Sequence, residues 1–118
     1  MSQHDPLVRL RHMHAHAVEA TKLTANMSPE TFRADRVLQL ALIRLLEIVG
    51  EAANRTPESV QIQHSHIPWR QMSGLRNRLI HGYDGVDLDI VWAILTVDLP
   101  PLVADLDGII RRFDADAG

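Results

Sequence analysis

The chain has no cysteine. That excludes a disulfide framework and any thiolate metal site, and it suits a reducing compartment. It has no apolar run near the roughly 20 residues that span a bilayer. The N-terminal Met-Ser-Gln-His-Asp-Pro lacks the basic-then-apolar order of a signal peptide. A soluble, cytoplasmic protein with no membrane partner is therefore expected. Glycine is sparse, at six residues, and no stretch alternates strand formers with polar residues. There is also a local lack: from Ser59 through Tyr83 no Asp or Glu occurs.

At 118 residues the chain is expected to form one domain, 1–118, with a modest core. Its net charge of −3 excludes a globally basic nucleic-acid binder. The charge is uneven, however. Residues 1–58 carry seven basic and seven acidic groups. Residues 59–83 sum to +3 through Arg70, Arg76 and Arg78, and residues 84–118 sum to −6. A local basic patch beside an acidic segment can hold a polyanion, and the same acids also read as a solvated face.

The apolar periodicity is helical throughout. One helix is expected from Pro6 to about Asn26, with Leu7, Leu10, Met13 (or His14), Ala17 and Ala20 on its inner face. Ser28-Pro29-Glu30 reads as an N-cap, a first-position proline and a first-turn acid. A helix then runs to about Arg55, and a break near Asp35 is left open. From Val37 to Ala53 it is apolar nearly all round, so it is either central in the core or shared with a second subunit. Arg44, Glu47 and Glu51 form its charged stripe. A short turn or helix opens at Thr56-Pro57-Glu58. Pro68 starts a helix with Trp69 and Leu75 inward that ends at His81, with Gly82 as the C′ residue. Asp87 or a residue near it caps a helix from Leu88 to Val97. Leu99-Pro100-Pro101 forces a break or sharp kink before a last helix to about Phe113. The expected fold class is all-α: an antiparallel bundle of four to six helices.

Chemistry concentrates in Arg76-Asn77-Arg78-Leu79-Ile80-His81-Gly82-Tyr83. A cation beside an imidazole suits phosphodiester cleavage. On an ideal helix His81 points roughly 140° away from Arg76, so the two meet only if the helix ends near His81 or the arginine curls over. A histidine at a helix end can serve as acid and base near neutral pH. By spacing alone, the same residues also read as a surface cation, a helix-end histidine and a core tyrosine. His12-x-His14-x-His16 with Glu19 invites a metal reading on one helix face, but no further ligand is visible and a polar surface is the better account. His64-x-His66 is read the same way. Trp69 and Trp92 read as core or interface anchors.

The octapeptide resembles the R-x4-H-x-Y signature of HEPN-domain toxins of the HepT type. Leu46-Glu47-Ile48-Val49-Gly50-Glu51-Ala52 resembles the Gly-Glu-Ala segment of that family's long helix. Ile67-Pro68-Trp69, Gly74-Leu75-Arg76-Asn77 and Val86-Asp87 ahead of Val91-Trp92 follow in the family's order. The likeness runs from about Leu7 to Leu106.

The resemblance implies a single HEPN-like helical domain that forms a homodimer, with two motifs facing each other in a composite ribonuclease site. It implies cleavage of RNA without metal or other cofactor. His81 would act as general acid and base, and Arg76 would bind the phosphate and stabilise developing charge. Asn77 would support them, and Arg70 and Arg78 would be the RNA-binding cations. Attack by the ribose 2′-hydroxyl would leave a 2′,3′-cyclic phosphate. Tyr83 would be the AMP acceptor for an MntA-like nucleotidyltransferase antitoxin that brings ATP and magnesium, and the adduct would block RNA. The alternative is a non-catalytic helical dimer that binds or presents a substrate to a partner nucleotidyltransferase.

Overall fold

The computed structural model describes residues 5–79 and 85–117, and every described element is helical. Three long rods make the frame. The first is α1 (Val8–Thr24), and a short α2 (Pro29–Ala34) leads to the second, α3 (Arg36–Arg55). Three short helices follow: α4 (Glu58–Gln63), α5 (Trp69–Ser73) and α6 (Leu75–Leu79). The third rod is α7 (Leu88–Ala93), a π-helical turn (Ile94–Asp98) and α8 (Leu99–Ala117) in unbroken succession.

Local signals set most of these ends. Ser28 Oγ accepts from the Thr31 amide, with Pro29 at the first helical position. Asp35 leaves helical geometry at φ −117°, ψ 93° and caps α3 by accepting from the Leu38 amide. The break at Asp35 is therefore real, and each half of the expected helix has its own cap. Asp87 caps α7 by accepting from the Asp89 and Ile90 amides.

Two expectations change. The helix expected from Pro68 is divided at Gly74 into α5 and α6, and Pro68 caps it from outside. Its expected end at His81 and Gly82 lies outside the described residues. The break expected at Leu99-Pro100-Pro101 does not occur. Leu99 N–H donates to the Ile94 carbonyl, five residues back. That wider turn relaxes the region where the proline rings would meet the carbonyls four residues before them. Burial before, within and after the turn, at Val91, Leu95, Leu99 and Leu102, holds the rod together. It then continues to Ala117, past the Phe113 expected as its end.

The rods pack around one core. Leu10, Met13, Ala17 and Ala20 of α1 meet Leu42, Leu46 and Val49 of α3, with Leu99, Leu102 and Leu106 of α8 behind. Each rod buries a stripe, as an amphipathic helix must. Met13 points inward and His14 lies half-exposed beside Asp107. The pairs Arg11–Asp114 and His14–Asp107 step in opposite directions along the two helices, so α1 and α8 are antiparallel. The α3 rod is central along one side only: Val37 is 79% and Leu40 53% exposed. Among the described residues no helix is long and apolar enough to cross a membrane.

Candidate active site

The α3 rod and the α5–α6 segment approach closely because residue 50 is glycine. A Cβ there would lie 3.0 Å from the Met72 carbonyl oxygen and 3.4 Å from Leu75 Cβ. Gly50 is thus a contact surface that lets α6 lie against α3. Leu75 and Leu79 are buried, which turns Arg76 and Asn77 outward.

Arg76 and Asn77 open onto a groove of about 830 Å³. From α3 the groove takes Arg44, Glu47, Glu51 and Arg55. Both glutamates are already paired: Arg44 Nη1 lies 3.4 Å from Glu47, and Arg55 Nε lies 2.8 Å from Glu51. From α1 it takes Arg9 and His12. The charged stripe expected on α3 is therefore one wall of the groove that holds the motif arginine. The motif's second half, His81 and Tyr83, lies outside the described residues. The chain on either side of it is joined, since Asp87 N–H donates to the Leu79 carbonyl at 3.3 Å.

Arg70 is exposed near the start of α5. Arg78 is half-buried and turns to a carboxylate of this chain, Asp98 in the π-helical turn, at 3.2 Å. Gln71 Nε2 reaches the same Asp98 oxygen at 3.3 Å. The sequence pattern held no sign of that pairing.

The histidines divide. The His16 ring meets the His12 backbone carbonyl at 2.7 Å through Nδ1, and among the described residues no three His, Asp or Glu side chains gather as a metal site. A second cavity of about 530 Å³ lies between the start of α1, α4 and the end of α8, lined in part by His64, His66 and Arg112. Burial holds the His64 imidazole below its ordinary pKa, with smaller contributions from the charges of His66 and Arg112. Its backbone carbonyl accepts from Trp69 Nε1 at 3.0 Å, which ties the loop to α5.

Sequence reasoning missed Arg9 and read His12 as polar helix surface in preference to a metal ligand. No local signal places a residue of α1 on one groove with a residue of α6, because that neighbourhood depends on how the rods pack.

A helical fold with a charged groove that takes the arginine of an R-x4-H-x-Y sequence motif is the class the fold and sequence define. Residues 13–109 match the family model described as Ribonuclease HepT-like. The chain belongs to that family. It is 40% identical over 89 residues to a protein of Thermococcus cleftensis named as a probable ribonuclease HepT, covering 75% of this chain and 81% of that one. It is 37% identical over 86 residues to a protein of Caldanaerobacter subterraneus named as a candidate RNase, covering 73% and 77%. A third relative, from Methanocaldococcus jannaschii and also named as a candidate RNase, is 31% identical over 107 residues, or 91% and 98% of the two chains. No solved structure matches the chain.

Proposed function

We propose that this chain is the ribonuclease toxin of a toxin–antitoxin pair, a metal-independent endoribonuclease acting as a homodimer of one HEPN-like domain per chain. The observation that carries the reading is the placement of Arg76 and Asn77 in a charged groove against the Gly50-Glu51 segment, in a member of the ribonuclease HepT-like family. A phosphodiester entering the groove meets the Arg76 guanidinium, whose fork of donors matches phosphate oxygens. His81 takes the proton of the ribose 2′-hydroxyl as that oxygen attacks phosphorus. The 5′-oxygen leaves with a proton from the partner subunit's His81, and the product carries a 2′,3′-cyclic phosphate. Asn77 supports the bound phosphate, and Arg70 contacts the RNA backbone beyond it.

The dimer supplies the second acid–base group, which one chain lacks. Val37, Leu40 and Ala41 support it: they form an exposed apolar edge on α3, spaced so that they share one helix face. Tyr83 is the AMP acceptor for an MntA-like nucleotidyltransferase antitoxin, and the adduct adds bulk and negative charge where RNA must lie.

The test is cleavage of single-stranded RNA in chelator by wild type and His81→Ala. Cyclic-phosphate ends, an uncut DNA strand and loss of activity in the variant are expected. Equal cleavage by both proteins would remove His81 from the mechanism. Intact mass after incubation with the partner nucleotidyltransferase, ATP and magnesium tests Tyr83: an adduct that persists in Tyr83→Phe overturns the assignment.

A further inference from the structure

The groove extends beyond Arg76 and Asn77, and α1 also lines it. Arg9 and His12 stand at i and i+3, so they share a helix face, and both line the groove that Arg76 and Asn77 open onto. Four arginines line it against two glutamates, an excess of two positive charges in a chain of net charge −3. The pairing within it is selective. Glu47 and Glu51 are engaged by Arg44 and Arg55 of their own helix, whereas Arg9 and Arg76 make no ion pair among the described residues. The two cations left over thus come from different helices, α1 and α6, that are far apart in the sequence. The apolar contacts that dominate a protein interface are scarce here, since Ile48 and Ala52 are the groove's apolar side chains. A groove of this kind fits a flexible polyanion whose phosphates repeat along a strand.

We infer that Arg9, with His12 beside it, forms a second phosphate subsite for single-stranded RNA, one that holds the strand flanking the phosphate at Arg76. This rests on the ribonuclease reading and extends it. The α1 subsite carries no sequence information. It fixes the strand's direction and register relative to Arg76, as backbone contacts do.

Binding of a short 2′-O-methyl RNA strand, which lacks the attacking hydroxyl, is measured by fluorescence anisotropy across a series of salt concentrations. The dependence of log affinity on log salt counts the phosphates neutralised. Arg9→Ala is expected to reduce that slope by about 0.7 and to weaken binding several-fold, alike for different sequences. Arg9→Lys is expected to keep the slope, and His12→Ala to weaken binding. Arg111→Ala, which removes a cation paired to Asp107 on α8 outside the groove, should change nothing.

An unchanged slope in a folded Arg9→Ala protein overturns the subsite and leaves the ribonuclease reading intact. An Arg9-dependent slope in a wild-type protein that cuts no unmodified RNA supports the subsite and overturns the ribonuclease reading. Absence of RNA binding overturns both. A shift in the monomer–dimer equilibrium with no change in RNA slope would assign the groove to a second copy of the chain and overturn the subsite.

Discussion

Arg78 and Asp98 are joined across twenty residues of chain, Nη2 to Oδ2 at 3.2 Å. The bond ties α6, two residues beyond Arg76, to the π-helical turn of the third rod. Gln71 reaches the same carboxylate from α5. The other terminal nitrogen of Arg78, Nη1, is buried without a partner among the described residues. The guanidinium therefore depends on one carboxylate. Asp98→Ala should cost on the order of 1 kcal/mol, since both side chains remain partly exposed. At this chain length that lowers Tm by about 4 °C. An unchanged thermal midpoint would show that the pair stabilises nothing. Recovery in the charge-swapped double variant Arg78→Asp with Asp98→Arg would show that the pairing itself carries the effect.

Gly50→Ala offers a test of sign. In an exposed helix interior this change stabilises by about 1 kcal/mol. Here the new Cβ meets the Met72 backbone oxygen at 3.0 Å, and a backbone oxygen has no rotamer to escape into. The expected result is a loss of about 1–3 kcal/mol, as in other overpacked contacts. Chemical denaturation measures it. A stabilised variant would show that α3 and α5 have room to part.

Arg76→Ala should lower the rate of RNA cleavage at saturation by about 100-fold or more, the usual loss when a charge-stabilising donor is removed. Arg76→Lys should restore little of it, because an ammonium lacks the planar fork. Single-turnover rates would check this, and a lysine variant at wild-type rate would reduce Arg76 to a point charge.

Acidification should lower Tm in two windows. Burial first, then the charges of His66 and Arg112, hold His64 below its ordinary 6.5. The folded form therefore binds that proton less readily than the unfolded chain. Its contribution is complete above 6.5 and is lost as pH falls through the lower folded value. Asp5 is held below its ordinary 3.8 by the hydrogen bond from Arg11 and then by the Leu7 amide, so its contribution is lost only at more acidic pH. Melting curves against pH should show the upper decline shrinking in His64→Gln while the lower one persists. An upper decline that survives the substitution would place its source elsewhere.

Helix existence and capping were legible without coordinates because both depend on neighbours a few residues apart. The Ser28 and Asp87 caps and the inward stripe of α1 are of this kind. The motif was legible for the same reason, as a short run of fixed spacing. Packing settled the rest. Two prolines in succession read locally as a break, but burial on both sides of them made a widened turn the better solution. The α3 residues Arg44, Glu47 and Glu51 read only as a charged stripe, but Gly50 brings α6 alongside and makes the stripe a groove wall. Arg78 was expected among the RNA-binding cations, and the third rod places Asp98 beside it. Arg9 and Arg76 are separated by more than half of the chain, and no local rule could put them on one groove. Dihedral preferences and caps act over a turn or two of helix, whereas the distance between two side chains on different rods is set by the shapes that fill the core between them.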